Sequence, residues 1–174
     1  MKQTILFLIA LSFLSSFIGK EHFPKIDCKG AITDKKIEEL SEFSKKFYDK
    51  DFTGVVTKTY EKSEILNWRL HLQNGEIIKY EGFYENGEPK ILEPVKCNSM
   101  HGNLIIYRAN SKKGYELEFN LGKKDGIGKS YYANGKVQKE VHYKNDLREG
   151  KQYKFDEKVD TISIEIFKNG VQLK

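Results

Sequence analysis

Long apolar runs are scarce in this chain. The single example, Ile5 to Ile18, follows Lys2 and gives way to the polar Gly19-Lys20-Glu21-His22. It falls short of the roughly 20 apolar residues a bilayer-spanning helix needs. A short basic start, an apolar stretch and then polar residues make a secretory signal, so residues 1–19 are expected to be a signal peptide, cut between Ser16 and Gly19. An uncleaved anchor is the secondary alternative. A lipid-modified cysteine would need a small-residue box after the apolar run, and Cys28 instead follows Lys25-Ile26-Asp27. The expected destination is therefore the exported space: periplasm, cell envelope or medium.

An excess of one charge is also missing. The chain has 30 Lys and Arg against 25 Asp and Glu; without residues 1–19, which remove only Lys2, the balance is 29 to 25. Lysine and glutamate are interleaved, whereas nucleic-acid binders gather their cations on one stripe, so no nucleic-acid partner is expected. The charge serves solubility first and a weak attraction to anionic surfaces second.

Cysteine and histidine are sparse. Cys28 and Cys97 alone are expected to pair in an oxidising compartment, and closing so long a loop stabilises a fold by roughly 4 kcal/mol. Two buried thiols or a metal pair are the alternatives, and the second would want more ligands at close spacing. The histidines, at 22, 71, 101 and 142, form no short ligand pair. Asp125-Gly126-Ile127-Gly128-Lys129 lacks the spacing of a phosphate loop. Ser111 and Ser130 have no nucleophile-elbow context. Neither a catalytic residue, nor a metal site, nor a small-molecule cofactor is expected.

What the chain does have is a period. Gly102, Gly126 and Gly150 stand 24 residues apart, with Gly54 two periods upstream, and each follows Thr53, His101, Asp125 or Glu149. Aromatics recur five or six residues after each glycine (Tyr60, Tyr107, Tyr131 with Tyr132, Phe155), and again at seventeen (Phe119, Tyr143, Phe167). Turn pairs follow at Leu121-Gly122, Asn145-Asp146 and Asn169-Gly170, while Leu72 and Asn74-Gly75 come one residue late, as an insertion would produce. Between these landmarks the chain alternates with period two, for example Tyr115, Leu117 and Phe119 against Glu116 and Glu118. That is the mark of half-buried strands.

Asn-Gly at 74, 86, 134 and 169 suits tight turns whose central residues need positive φ. Each unit of about 24 residues is therefore one hairpin plus a connecting turn, and it must stack on its neighbours to bury its apolar face. The fold class expected is mostly β, an antiparallel hairpin-repeat sheet over residues 51–174. Its repeat-turn glycines are Gly54, Gly75, Gly82, Gly87, Gly102, Gly122, Gly126, Gly135, Gly150 and Gly170.

Tyr80-Glu81-Gly82-Phe83-Tyr84-Glu85-Asn86-Gly87 resembles the opening of a MORN repeat. Asp125-Gly126 through Tyr131-Tyr132-Ala133-Asn134-Gly135-Lys136, with His142-Tyr143-Lys144-Asn145-Asp146 and Glu149-Gly150, resembles the bacterial variant labelled antitoxin-like. The resemblance covers about residues 52–174. Three departures stand out. Residues 88–101 do not fit the spacing, which makes the unit at Gly82 truncated or irregular; Ile162, Ile164 and Ile166 run out of phase with Phe167, which suggests a bulge or a cap; and Glu61-Lys62-Ser63-Glu64 replaces an Asn-Gly turn.

Ahead of the repeats, within a linker-and-helix region over residues 20–50, the spacing becomes helical. Ile37, Leu40, Phe43 and Phe47 share one side from Thr33 to Tyr48, with Thr33 or Asp34 as the cap. Mixed charge on its polar side favours a helix that covers the repeat sheet over one lying on a membrane.

The MORN resemblance implies a binding or scaffold module of the cell envelope with a protein partner or anionic lipid, since such repeats are associated with membrane apposition, lipid head groups and assembly. The family label implies, as an alternative, an antitoxin for a partner toxin; an envelope hydrolase is the weakest reading. Rows of side chains at equivalent heights suit an extended or polymeric partner. The candidate binding aromatics are Tyr107, Tyr131, Tyr132 and Tyr153, although one ring of each adjacent pair must point inward.

Overall fold

The computed structural model describes residues 28–174. The expected signal peptide and residues 20–27 of the linker lie outside the described residues. A helix, α1 (Lys35–Lys45), precedes thirteen strands: β1 Gly54–Thr59, β2 Leu66–Gln73, β3 Glu76–Phe83, β4 Pro89–Lys96, β5 Ser99–Met100, β6 Gly102–Tyr107, β7 Lys113–Asn120, β8 Lys123–Tyr131, β9 Val137–Lys144, β10 Leu147–Arg148, β11 Gly150–Phe155, β12 Thr161–Lys168 and β13 Val171–Leu173. The strands pair antiparallel in chain order, with β5 beside β4 and β10 beside β9. This is the mostly β, hairpin-built sheet that the alternation predicts, with one helix before it.

The repeat runs from the first hairpin to the last, at 24 residues throughout except that Cys97 follows Asn74 by 23, because the first inner turn comes one residue late. Five inner turns, Asn74-Gly75, Cys97-Asn98, Leu121-Gly122, Asn145-Asp146 and Asn169-Gly170, all place both central residues at positive φ, the conformation a two-residue hairpin turn demands. The outer turns repeat as well: the hydroxyls of Tyr60, Tyr84 and Tyr132 and the guanidinium of Arg108 donate to the carbonyls of Phe83, Tyr107, Phe155 and Tyr131, at 2.6 to 2.8 Å. Each of these contacts ties one hairpin to the next.

The expectation of a truncated second unit is therefore corrected. Residues 88–101 form β4, a turn and β5 in register. The unit was hidden because Cys97-Asn98 occupies the turn, and because Ile78 stands where its neighbours have Gly102, Gly126 and Gly150. The register explains that exchange: between β2 and β3 only Ile78 is left unpaired, whereas between β7 and β8 Glu118 faces the three residues Asp125, Gly126 and Ile127. Gly126, at φ 132°, makes room there for the Glu118 carboxylate, which accepts from the Ile127 N–H at 3.2 Å. The smaller bulge at Ile78 has no such need.

Gly54, Gly82, Gly102, Gly126 and Gly150 lie in or at the start of strands rather than in turns, whereas Gly75, Gly87, Gly122, Gly135 and Gly170 occupy turns. The polar residue before the landmark glycine also has a task. Thr53 Oγ1, His101 Nδ1 and Glu149 Oε2 accept from the turn amides of Asn74, Leu121 and Asn169, at 3.0, 3.4 and 2.7 Å.

The sheet has two unlike faces. On the inner face, Val56, Leu70 and Tyr80 are cross-strand neighbours, and Leu104, Leu117, Gly128 and Val141 continue the same row. On the outer face Arg69, Glu81, Leu92, Ile105, Glu116, Lys129 and Glu140 follow one another strand by strand. Ile164 and Ile166 of β12 belong to this outer face and, like Ile162 before them, are exposed, while Phe167 turns inward and is 6% exposed. The expected bulge is there, at Ile162, which has no partner between the pairs Lys154↔Ser163 and Phe155↔Thr161; it precedes Ile164, so ordinary alternation after it sends Ile164 and Ile166 outward and Phe167 inward.

Helix α1 lies over the inner face of the first units, where Ile37 packs with Val56, Leu70, Leu72, Ile77 and Val95. Asp34 caps it, its carboxylate accepting from the Ile37 N–H at 3.1 Å. The face turned to the sheet differs from the one expected: Ile37, Ser41 and Ser44 are buried, whereas Phe47 is 60% exposed and pairs with the exposed Phe43 at 4.9 Å. Two small serines let the helix backbone approach the sheet, and the bulky rings are excluded. Cys28 and Cys97 form a disulfide with Cα atoms 5.7 Å apart, fastening the segment before the helix to the second inner turn. Such a bridge belongs to an oxidising compartment.

Candidate functional site

Past the helix, among the described residues, only the segment before it reaches the later units, Ile32 donating its N–H to the Leu121 carbonyl at 2.9 Å at the β7–β8 turn, yet the central row stays buried. Leu117 is 2% exposed without a helix above it. A trough opens on this face where β7, β8 and β9 lie side by side.

Tyr115, Ser130 and Lys139 are successive cross-strand partners along this trough, and Lys154 and Ser163 extend the row to β12. A slot of about 190 Å³ opens beside them, lined by Tyr115, Gly128, Ser130, Lys139, Val141 and Tyr143. Gly128 makes this slot: a Cβ there would stand 2.9 Å from Leu117 Cδ1 and 3.4 Å from the Tyr143 ring. Burial, and next the neighbouring Tyr143, push the Tyr115 phenol above its usual range.

At the inner position where the earlier units have Val56, Tyr80, Leu104 and Gly128, the last one has Gln152. Gln152 is 3% exposed and faces Glu165 directly, donating to it at 2.7 Å. Lys154 donates to the other oxygen of Glu165 at 3.4 Å. Two buried oxygens here, Gln152 Oε1 and Ser163 Oγ, have no partner. A third, Glu93 Oε1, lies under the helix, where Lys36 Nζ reaches Glu93 Oε2 at 2.6 Å and stands 3.9 Å over the Tyr80 ring.

The outer face is electrically closed by comparison. Glu81 accepts from Arg69, His71 and Lys79 at 3.3, 2.7 and 3.2 Å, and Lys129 and His142 meet Glu140 at 3.5 and 3.1 Å. Burial alone would push Glu81 upward, but the hydrogen bonds and charges of His71 and Lys79 outweigh it and hold the carboxyl below its usual range. Glu116 behaves the same way: burial raises it, and Lys113 and Tyr131 bring it lower.

The four tyrosines singled out by sequence do not come together as one surface. Tyr131 is buried and donates to Glu116; burial first and that contact second drive its phenol far upward. The Tyr132 hydroxyl is engaged by the Phe155 carbonyl, and the Tyr107 carbonyl receives Tyr84. Tyr153 lies on the outer face, stacked with Phe155 at 6.1 Å. The residues that line the trough are not aromatic doublets and so do not stand out in the sequence. Their signal is polar residues at inward strand positions, Ser130, Lys139, Gln152 and Lys154.

A larger recess of about 530 Å³ lies between the first outer turns, at Lys58, Tyr60, Asn67 and Glu85. It mixes both charge signs and contains no buried polar atom lacking a partner, so the trough is the stronger candidate despite its smaller slot. Among the described residues no group of His, Cys, Asp and Glu is arranged to hold a metal ion, and no helix is long and apolar enough to cross a membrane.

No family model matches the chain, and no curated protein does. One similar solved structure is that of an S. aureus TarM mutant in complex with Fondaparinux, alpha-GlcNAc-glycerol and UDP. It has 16% identity and a TM-score of 0.39, over 81% of this chain and 25% of that one. This chain spans about a quarter of that protein's length, and a likeness of this degree carries no functional argument.

Proposed function

We propose that this chain is an exported, non-catalytic binding module of the MORN repeat type, and that it holds an extended or polymeric partner of the cell envelope along its open trough. The observation that carries the reading is the contrast between the helix-covered core and the slot on the inner face beyond it. Helix α1 closes the first units over an apolar core, while β7, β8 and β9 beyond it carry a slot lined by rings, a hydroxyl and a lysine. The recurrence of the unit from the first hairpin to the last supports the repeat assignment, and the Cys28–Cys97 bridge supports export.

The test is photo-crosslinking in the cells that make the protein, with a benzophenone amino acid at Tyr143 in the trough or at Ile105 on the outer face. The expected result is an adduct with an envelope component from the Tyr143 position alone, on protein processed near residue 19. Adducts from Ile105 only, or unprocessed protein retained in the cytosol, would contradict the reading.

A further inference from the structure

Ile164 and Ile166 of β12 and Val171 and Leu173 of β13 form an apolar patch on the outer face, each between 42% and 66% exposed. Ile166 and Leu173 are cross-strand partners in it, and Tyr153 of β11 adjoins it as the partner of Ile164. One period earlier, Glu140, His142 and Glu149 stand where this hairpin has Ile164, Ile166 and Leu173. There Glu140 meets Lys129 and His142 at 3.5 and 3.1 Å. An ion cluster of the preceding hairpin is thus exchanged for aliphatic side chains, and contiguous apolar surface of this kind marks an interaction site.

The charges around the patch are sorted by end. Lys151 and Lys168, the cross-strand partners of Ile166 and Val171, share the outer face beside the inner turn Asn169-Gly170. At the opposite end Asp156, Glu157 and Asp160 make the outer turn acidic, with Lys158 as their one counter-charge. Among the described residues neither the two lysines nor the three acids form an ion pair. Glu149, at the lysine end, is turned to the Asn169 amide, from which it accepts at 2.7 Å.

We propose that this face binds a second copy of the chain, outer face on outer face, with the strands of the two copies running in opposite directions. The two-fold axis crosses the middle of β12 at Ile164. Each lysine end then lies over the acidic turn of the other copy, and the aliphatic side chains interdigitate between them, as in sheets stacked about 10 Å apart. Such a contact is self-complementary and closes as a dimer. With the strands running the same way, lysines would face lysines and acids would face acids. Pairing through the edge of β13 would join the two patches into one larger exposed surface instead of covering them. Parts of three strands make a small interface, below the standard size, so the expected affinity is micromolar. The trough lies on the opposite face and stays open in the pair, which makes this inference independent of the trough reading.

Sedimentation equilibrium of the disulfide-bonded protein tests it, over micromolar to millimolar concentrations. A monomer to dimer equilibrium with a dissociation constant in the micromolar range is expected. Ile164→Glu/Ile166→His, which installs the residues of the preceding hairpin and so suits the fold, is expected to weaken the dimer at least ten-fold. Lys151→Glu/Lys168→Glu makes both ends acidic and Glu157→Lys/Asp160→Lys makes both ends basic; each is expected to weaken self-association at least ten-fold. An equimolar mixture of those two variants is expected to pair again, which also shows that both are folded. Circular dichroism checks the isoleucine variant. A parent that is monomeric at every concentration, a dimer unaltered by the isoleucine substitutions or by the charge reversals, or a mixture that stays monomeric would overturn the proposal. A monomeric parent whose Ile164, replaced by a photo-crosslinker in cells, captures an unlike envelope protein would assign the face to that protein and overturn the second copy.

Discussion

The hydroxyl of Tyr132 donates to the backbone carbonyl of Phe155 at 2.7 Å, reaching from one outer turn to the next. Tyr60 and Tyr84 make the same contact with Phe83 and Tyr107. The period seen as a recurrence of aromatics is thus a hydrogen-bond ladder along one rim of the sheet, and the phenol oxygen matters in it as much as the ring.

Tyr132→Phe keeps the ring and removes the bond, leaving a partly buried carbonyl unmet. Urea denaturation is expected to show a loss of about 0.5–1.5 kcal/mol. Tyr84→Phe is expected to cost about the same, and the double variant about the sum, since the two contacts share no partner.

The register predicts which deletions the sheet accepts. Removal of residues 102–125, one whole unit, joins His101 to Gly126 and returns every later strand to an equivalent place; the product is expected to unfold cooperatively with a smaller m-value. Removal of 103–125 shifts the later alternation by one residue and sends inner side chains outward. That shorter deletion is expected to abolish the cooperative transition.

The disulfide joins the segment before the helix to an inner turn across 69 residues. In the double variant Cys28→Ser/Cys97→Ser the denatured chain regains its loop-closure entropy, and a stability loss of up to about 4 kcal/mol is expected. A reducing agent is expected to lower the melting temperature of the parent and leave that variant unchanged.

His101 accepts from the Leu121 N–H through Nδ1, which requires an unprotonated nitrogen. Burial, and then the charge of Lys96, hold its pKa below the usual histidine value. The unfolded chain therefore takes up a proton at a pH where the folded one does not. The contribution is present above about pH 6.5, the ordinary histidine value, and shrinks as pH falls from there toward the lower folded pKa. A pH series of melts is expected to show this decline in the parent and its absence in His101→Asn, which keeps an acceptor and does not titrate.

Much of this fold was legible because the same physical demand recurs at fixed spacing: positive φ at inner turns, an acceptor before the landmark glycine, alternation in the strands. The second unit was not, since Ile78 sits in a smaller bulge that needs no glycine and Cys97-Asn98 adopts the turn at φ of 54° and 53° without Asn-Gly. Val159 likewise takes a φ of 80° at the last outer turn, a conformation that a β-branched residue rarely adopts. The helix face was misread because apolar periodicity favours Phe43 and Phe47, whereas close approach to the sheet selects Ser41 and Ser44.

The trough was legible only in part. The lysine at 139 and the serine at 130 read as ordinary strand polarity until the register placed them on the inner face beside Tyr115. Which stretch of inner face the helix covers depends on contacts distant in sequence, and no local pattern contains that information.

The most direct measurement is capture of an envelope component by the trough-blocked variant Ser130→Trp, with the photo-crosslinker at Tyr143 and the parent as reference. The expected result is loss of the Tyr143 adduct in a variant that is exported, disulfide-bonded and as stable as the parent. An undiminished adduct from that folded variant would contradict a partner seated in the trough.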